Sequence, residues 1–239
     1  MAIAKPMGSS NKRVRIVYAI ATVETSLLIL LIFMQPVYTR LVGGIWDRYG
    51  SLLKWTLSLD VHVLFAIPFL LLLILQFILG FIQKPGQVSN RIHRRLGLFI
   101  LLYTPVFLAI TIWNVSVRVP YLLLQLTFYF VIIYIVFFLI RGYRAIKNKD
   151  YLKHMDSMLG AFVLSGIAAT ARLVYPLYIL IYGHIPISAI WLISTAIFLY
   201  TKLFLIYALA GRLKQNILVW LMQAVPIFLI YVVLPWPPN

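Results

Sequence analysis

The sequence predicts an all-α, polytopic membrane bundle of seven transmembrane helices, N-terminus cytoplasmic and C-terminus outside. Three observations predict it. Of the 239 residues, 63% are hydrophobic and only 11% charged, more apolar surface than a soluble domain of this size can hide. Seven apolar segments are each long enough to cross a hydrocarbon core of about 30 Å as a helix. The basic residues gather on one side of those segments, and that side faces the cytoplasm.

The first span, near 14–34, follows the basic stretch MAIAKPMGSSNKRVR. No small-residue cleavage site comes after it, so it reads as an uncleaved helix with a cytoplasmic tail. Between 40 and 56, Ile45, Trp46, Tyr49, Leu52, Leu53 and Trp55 recur at helical spacing among Asp47, Arg48 and Lys54, which suits an amphipathic segment in the outer interface. Spans two to four fall near 60–82, 96–113 and 120–140, and spans five to seven near 156–181, 187–210 and 217–234. Pro68, Pro105, Pro176 and Pro226 lie inside spans, which membrane helices tolerate when neighbours re-satisfy the freed carbonyl. Pro120 opens the fourth span, where its missing N–H costs nothing. The whole chain, 1–239, reads as one membrane domain with a core bundle over 60–181.

Orientation comes from counting. The tail holds Lys5, Lys12, Arg13 and Arg15. The second-to-third connection holds Lys84, Arg91, Arg94 and Arg95, and the fourth-to-fifth holds Arg141, Arg144, Lys147, Lys149 and Lys153. Arg212 and Lys214 follow the sixth span. That makes fifteen, against four (Arg40, Arg48, Lys54, Arg118) on the other face. The formal charge of +16 is therefore topology, and no nucleic-acid partner is needed. Anionic headgroups of the inner membrane are the expected partners, at about 1 kcal/mol per basic residue near the surface. With no cysteine in the chain, disulfides, thiolate metal sites and cysteine nucleophiles are excluded.

The candidate chemistry starts at IHRRLG. His93 leads helix three and His154 leads helix five, both from the basic side. His93, Gly97, Thr104 and Thr111 share one helical face, as do His154, Ala161, Ser165 and Arg172. A histidine followed by small residues leaves room for a flat macrocycle between two helices. Neutral imidazoles are common axial ligands of haem iron, and Arg94, Arg95 and Lys153 are placed to meet propionates. The layout is similar to that of di-haem b-type membrane cytochromes. The same residues also read as plain headgroup contacts at helix mouths, and both readings stand at this point. His62 and His184 lie toward the other face, where helix four offers no partner histidine.

Glu24, Lys202 and Arg172 fall at membrane depth, where ionisable side chains normally face the bundle interior and find partners. Counted from the inner ends of helices one and six, Glu24 and Lys202 differ in depth by only about 3 Å, so a pair between them is expected. Arg172, with Asp60 and His62, suggests either an outward-facing polar pocket or a simple Asp60–Arg172 tie. A retinal-type pump is excluded because Lys202 is on helix six and the seventh helix has no lysine.

The histidine helices resemble a bacterial membrane family known only as a domain of unknown function. The likeness rests on the HRxLG start, here His93, Arg94, Leu96 and Gly97, and on a later HxxxM helix with a distant arginine, here His154, Met158 and Arg172. It covers roughly 60–180. The family's Trp before the Met and its Arg two residues after it are Ser157 and Gly160 in this chain. The resemblance marks His93, His154 and Arg172 as the set to test, and it implies no established activity. Three functions follow as expectations: a b-type haem electron-transfer protein of the inner membrane, a non-catalytic lipid-binding or accessory subunit of a larger membrane complex, and a small-molecule or ion carrier built on Glu24, Lys202 and Arg172.

Overall fold

The computed structural model describes residues 9–42, 57–82, 88–119, 122–167, 170, 190–217 and 221. Six helices are described: α1 (Ser9–Val42), α2 (Leu57–Ile82), α3 (Val88–Arg118), α4 (Leu122–Lys147), α5 (Tyr151–Ser165) and α6 (Ile190–Leu209). Three carry stretches long and apolar enough to cross a membrane, Val61–Phe81, Arg91–Val117 and Gln125–Lys147. They coincide with the second, third and fourth expected spans. Residues 43–56, 171–189 and most of 218–239 lie outside the described residues, and with them the interfacial segment, Arg172, His184 and the body of the seventh span.

Where boundaries differ from the sequence reading, the cause is physical. α3 begins at Val88 rather than near residue 96, because the polar run VSNRIHRR keeps helical geometry without being hydrophobic, and hydropathy registers only the apolar part. His93 is therefore in the second turn of its helix, not at its mouth. α5 stops at Ser165, with Gly166 as its C-cap, inside what hydropathy reads as one span.

Two tight hairpins, α2–α3 and α4–α5, make the most extensive helix packing. α1 packs on α2, α5 and α6, and α4 also meets α3 and α6. In lipid there is little hydrophobic drive between helices, so close side-chain packing must hold them. One core cluster joins α1, α4, α5 and α6 around Tyr18, Phe138, Leu159 and Leu203. A second joins α2 and α3 to Ile29 and Phe162. Aromatic rings bind the first hairpin: Phe69 stacks on Phe107 at 4.3 Å, and Phe107 on His62 at 5.7 Å. Phe77 and Phe162, centroids 4.7 Å apart, tie α2 to α5.

Turn chemistry sets the basic end. After α4, Lys149 adopts φ 59°, Asp150 N–H reaches back to the Ala145 carbonyl, and the Asp150 side chain caps α5 by accepting from Lys153 N–H at 3.0 Å. After α6, Gly211 adopts φ 69°, where glycine has no Cβ to strain. Arg212 N–H bonds the Tyr207 carbonyl and Gly211 N–H the Ala208 carbonyl, the Schellman pattern. That turn brings Arg212 back toward α5.

Candidate functional site

His93 and His154 are held in the same manner. His93 Nδ1 lies 3.2 Å from the Gln76 carbonyl oxygen on α2. His154 Nδ1 lies 2.9 Å from the Gly142 carbonyl oxygen on α4. Each ring thus donates Nδ1–H to the main chain of its hairpin partner, which fixes its orientation and directs Nε2 away from that bond. Glycines make the approach possible: a Cβ at Gly80 would come within 3.3 Å of His93 Cε1, and one at Gly142 would collide with Met158. The two imidazoles are within electrostatic reach of each other, although α3 and α5 are not a closely packed pair. Burial lowers the pKa of His154, and the Gly142 carbonyl partly offsets this, so the ring is neutral at pH 7.

Gln76 completes the arrangement. Its side-chain nitrogen is 3.3 Å from His93 Nε2, and it fills the room that Gly97 leaves, since a Cβ on Gly97 would lie 2.9 Å from that nitrogen. Its Oε1 is buried and has no hydrogen-bond partner among the described residues. Arg94 and Arg95 project outward, exposed.

Behind His154, on the opposite face of α5, lies a cluster that the sequence reading passed over. Asp156 is fully buried. Tyr18 Oη donates to its Oδ1 at 2.6 Å, and Arg212 Nη2 and Nε donate to Oδ2 at 2.8 and 3.1 Å. Asn216 Nδ2 donates to Oδ2 at 3.1 Å, and Tyr207 Oη to the Asp156 carbonyl at 2.9 Å. α1, α5, α6 and the turn beyond α6 are all tied to one residue. Hydrogen bonds and the negative charge of Asp156 raise the Arg212 pKa although burial opposes it. The available signal was composition: Asp156 is one of only five acidic residues, and it follows a histidine on an otherwise apolar helix.

The other polar candidates separate. Lys202 Nζ pairs with Glu24 Oε2 and donates to Thr25 Oγ1 at 3.1 Å, joining α6 to α1 through the expected pair. His62 is in the aromatic stack of the first hairpin, with Nδ1 3.3 Å from Thr111 Oγ1. Asp60 falls in α2, while an Asp60–Arg172 tie lies outside the described residues. Arginines of α1 cap other helices: Arg13 Nε donates to the Leu209 carbonyl at 2.7 Å and Arg15 Nη2 to the Phe81 carbonyl at 3.1 Å. They satisfy the orphan carbonyls and negative dipole ends of α6 and α2. Among known proteins, no family model, no curated sequence and no solved structure matches this chain.

Proposed function

We propose that the chain is a seven-span inner-membrane protein, N-terminus cytoplasmic, that holds b-type haem at its basic end between His93 and His154. The observation that carries this reading is the shared Nδ1–H anchoring of two imidazoles on helices that do not pack closely together. Anchoring of that kind is the usual support of a ligating histidine, because it sets the tautomer and presents Nε2 as the donor. Gln76 supports it too. An unpartnered buried amide oxygen costs about 1–3 kcal/mol, and that amide lies against the ring nitrogen a metal would take. It is the end of a flexible side chain, and it would have to turn aside for a metal to reach that nitrogen. Arg94, Arg95 and Lys153 would meet the propionates, and Gln76 would have to leave the space beside Gly97 that it fills. Bound there, haem would supply one-electron transfer to a membrane or periplasmic partner.

The test is an optical spectrum of detergent-purified protein, air-oxidised and then dithionite-reduced. The expected result is a sharp reduced α band that is lost in His93→Ala and in His154→Ala and survives in Gln76→Ala. A colourless preparation from haem-replete cells overturns the proposal. The basic end is then an anionic-lipid contact of an accessory subunit, the reading favoured by the exposure of Arg94 and Arg95.

A further inference from the structure

Gln76 and Gly80 lie one turn apart on α2, and His93 and Gly97 lie one turn apart on α3. The two pairs interlock. The His93 ring sits over Gly80, where a Cβ would come within 3.3 Å of Cε1. The Gln76 amide sits over Gly97, where a Cβ would come within 2.9 Å of Nε2. Each glycine is thus the notch for the polar side chain opposite. The hydrogen bonds follow from what each atom can do. His93 Nδ1 faces the Gln76 carbonyl oxygen at 3.2 Å, which only accepts, so Nδ1 carries the proton and Nε2 of the neutral ring the lone pair. The Gln76 amide nitrogen, 3.3 Å from that Nε2, donates to it. One residue therefore occupies both nitrogens of His93, through its main chain on one side and its side chain on the other. The side-chain half is the weaker. Its 3.3 Å is a long bond, and among the described residues the amide oxygen has no partner to hold it in place. His154 differs. Its Nδ1 is anchored on Gly142, Met158 fills the notch there, and among the described residues no hydrogen bond falls on its Nε2.

We infer that Gln76 is a displaceable cap on His93. It holds the Nε2 lone pair while the site is empty, and an incoming ligand takes that nitrogen only after the amide has turned out of the Gly97 notch. His154 carries no such cap among the described residues, so the two histidines are engaged in order, His154 first. The cap also sets what can bind. A hydrogen bond of ordinary strength biases an equilibrium by roughly two- to tenfold, and a ligand held by His93 alone has to overcome that bias unaided. A ligand already anchored on His154 meets it as an intramolecular step, at high effective concentration. Ligands with a single point of attachment are disfavoured, and ligands that span both histidines are selected. The identity of the spanning ligand rests on the haem reading, whereas the cap is a property of the empty chain.

Diethylpyrocarbonate acylates the lone-pair nitrogen of a neutral imidazole, which makes it the probe. Haem-free protein in detergent is treated at about pH 8, above the ordinary imidazole pKa of about 6.5, and peptide mass spectrometry counts the adducts at His93 and His154. The expected result is a His93 rate that rises roughly two- to tenfold in Gln76→Ala, while the His154 rate stays that of wild type. Gln76→Leu keeps the bulk and removes the donor, so it should move the nitrogen NMR resonance of His93 Nε2 to the position of a lone pair without a hydrogen bond. An unchanged His93 rate in Gln76→Ala, or an unchanged resonance in Gln76→Leu, overturns the proposal. Gln76 is then a plain tie between α2 and α3, read only in the melting temperature. Haemin added to wild type should protect His154 from the reagent before it protects His93, with the delay lost in Gln76→Ala. Protection of His93 first, or of both at once in wild type, overturns the order. Haemin that protects neither histidine overturns the haem reading instead, and the cap still stands or falls on the haem-free rates.

Discussion

Asp156 and Glu24 are each paired with a single basic side chain, yet their surroundings are opposite. Asp156 is fully enclosed, and Tyr18, Arg212 and Asn216 donate to its two oxygens. Glu24 is nearly half exposed, and both bonds described for it fall on one oxygen. In the first pair the anion is buried deepest, and in the second the cation is. The difference teaches where each pair is needed. A carboxylate surrounded by fixed donors holds several helices in register, whereas one open at its outer side ties only the two helices it bridges.

The comparison breaks most clearly at Asp156. Asp156→Ala leaves Arg212, Tyr18 and Asn216 without their acceptor and should cost about 3–5 kcal/mol, the usual penalty for removing one partner of a buried pair. Thermal unfolding in detergent reads it, and a melting temperature equal to wild type would show the cluster to be ornamental. At the second pair the expected order follows burial. Glu24→Leu strands a buried ammonium and should destabilise by roughly 2–3 kcal/mol, whereas Lys202→Met leaves an already half-exposed carboxylate and should cost about 1 kcal/mol. Equal losses would contradict the asymmetry. Gly211→Ala falls between those two. It forces a Cβ into left-handed backbone at about 1–2 kcal/mol and slackens the turn that delivers Arg212, so it should add less than its full cost to Asp156→Ala.

These pairs also show how far the sequence could be read. Glu24 and Lys202 are recognisable as partners because each lies a countable distance from a charge-marked helix end, and depth is a one-dimensional quantity. Spans two to four were legible for the same reason. Asp156 was not, because its partners are 138, 56 and 60 residues away on segments whose rotation no count supplies. Gln76 escaped notice for a related reason. An amide on an apolar helix carries no charge to locate it, and its meaning comes only from facing His93. The shared face of His93 and Gly97 was readable from spacing, but that Gln76 fills the space beside Gly97 depends on how α2 turns against α3.

The smallest expected effect is one of pH, and it lies on the face of α5 opposite Asp156. His154 is neutral when folded, its pKa lowered below 6.5 by burial despite the Gly142 carbonyl. In the unfolded chain the ring takes a proton near its ordinary value of 6.5. Between 6.5 and the lower folded value the unfolded state therefore binds more protons, so stability falls as the pH drops through that window and is constant above it. Protein free of haem should melt at progressively lower temperature on acidification below 6.5, and His154→Gln should show a shallower decline. Glutamine can still donate an N–H to the Gly142 carbonyl, so the variant removes the titration and keeps the tie. An unchanged slope in His154→Gln would mean that the folded ring takes up protons as readily as the unfolded one.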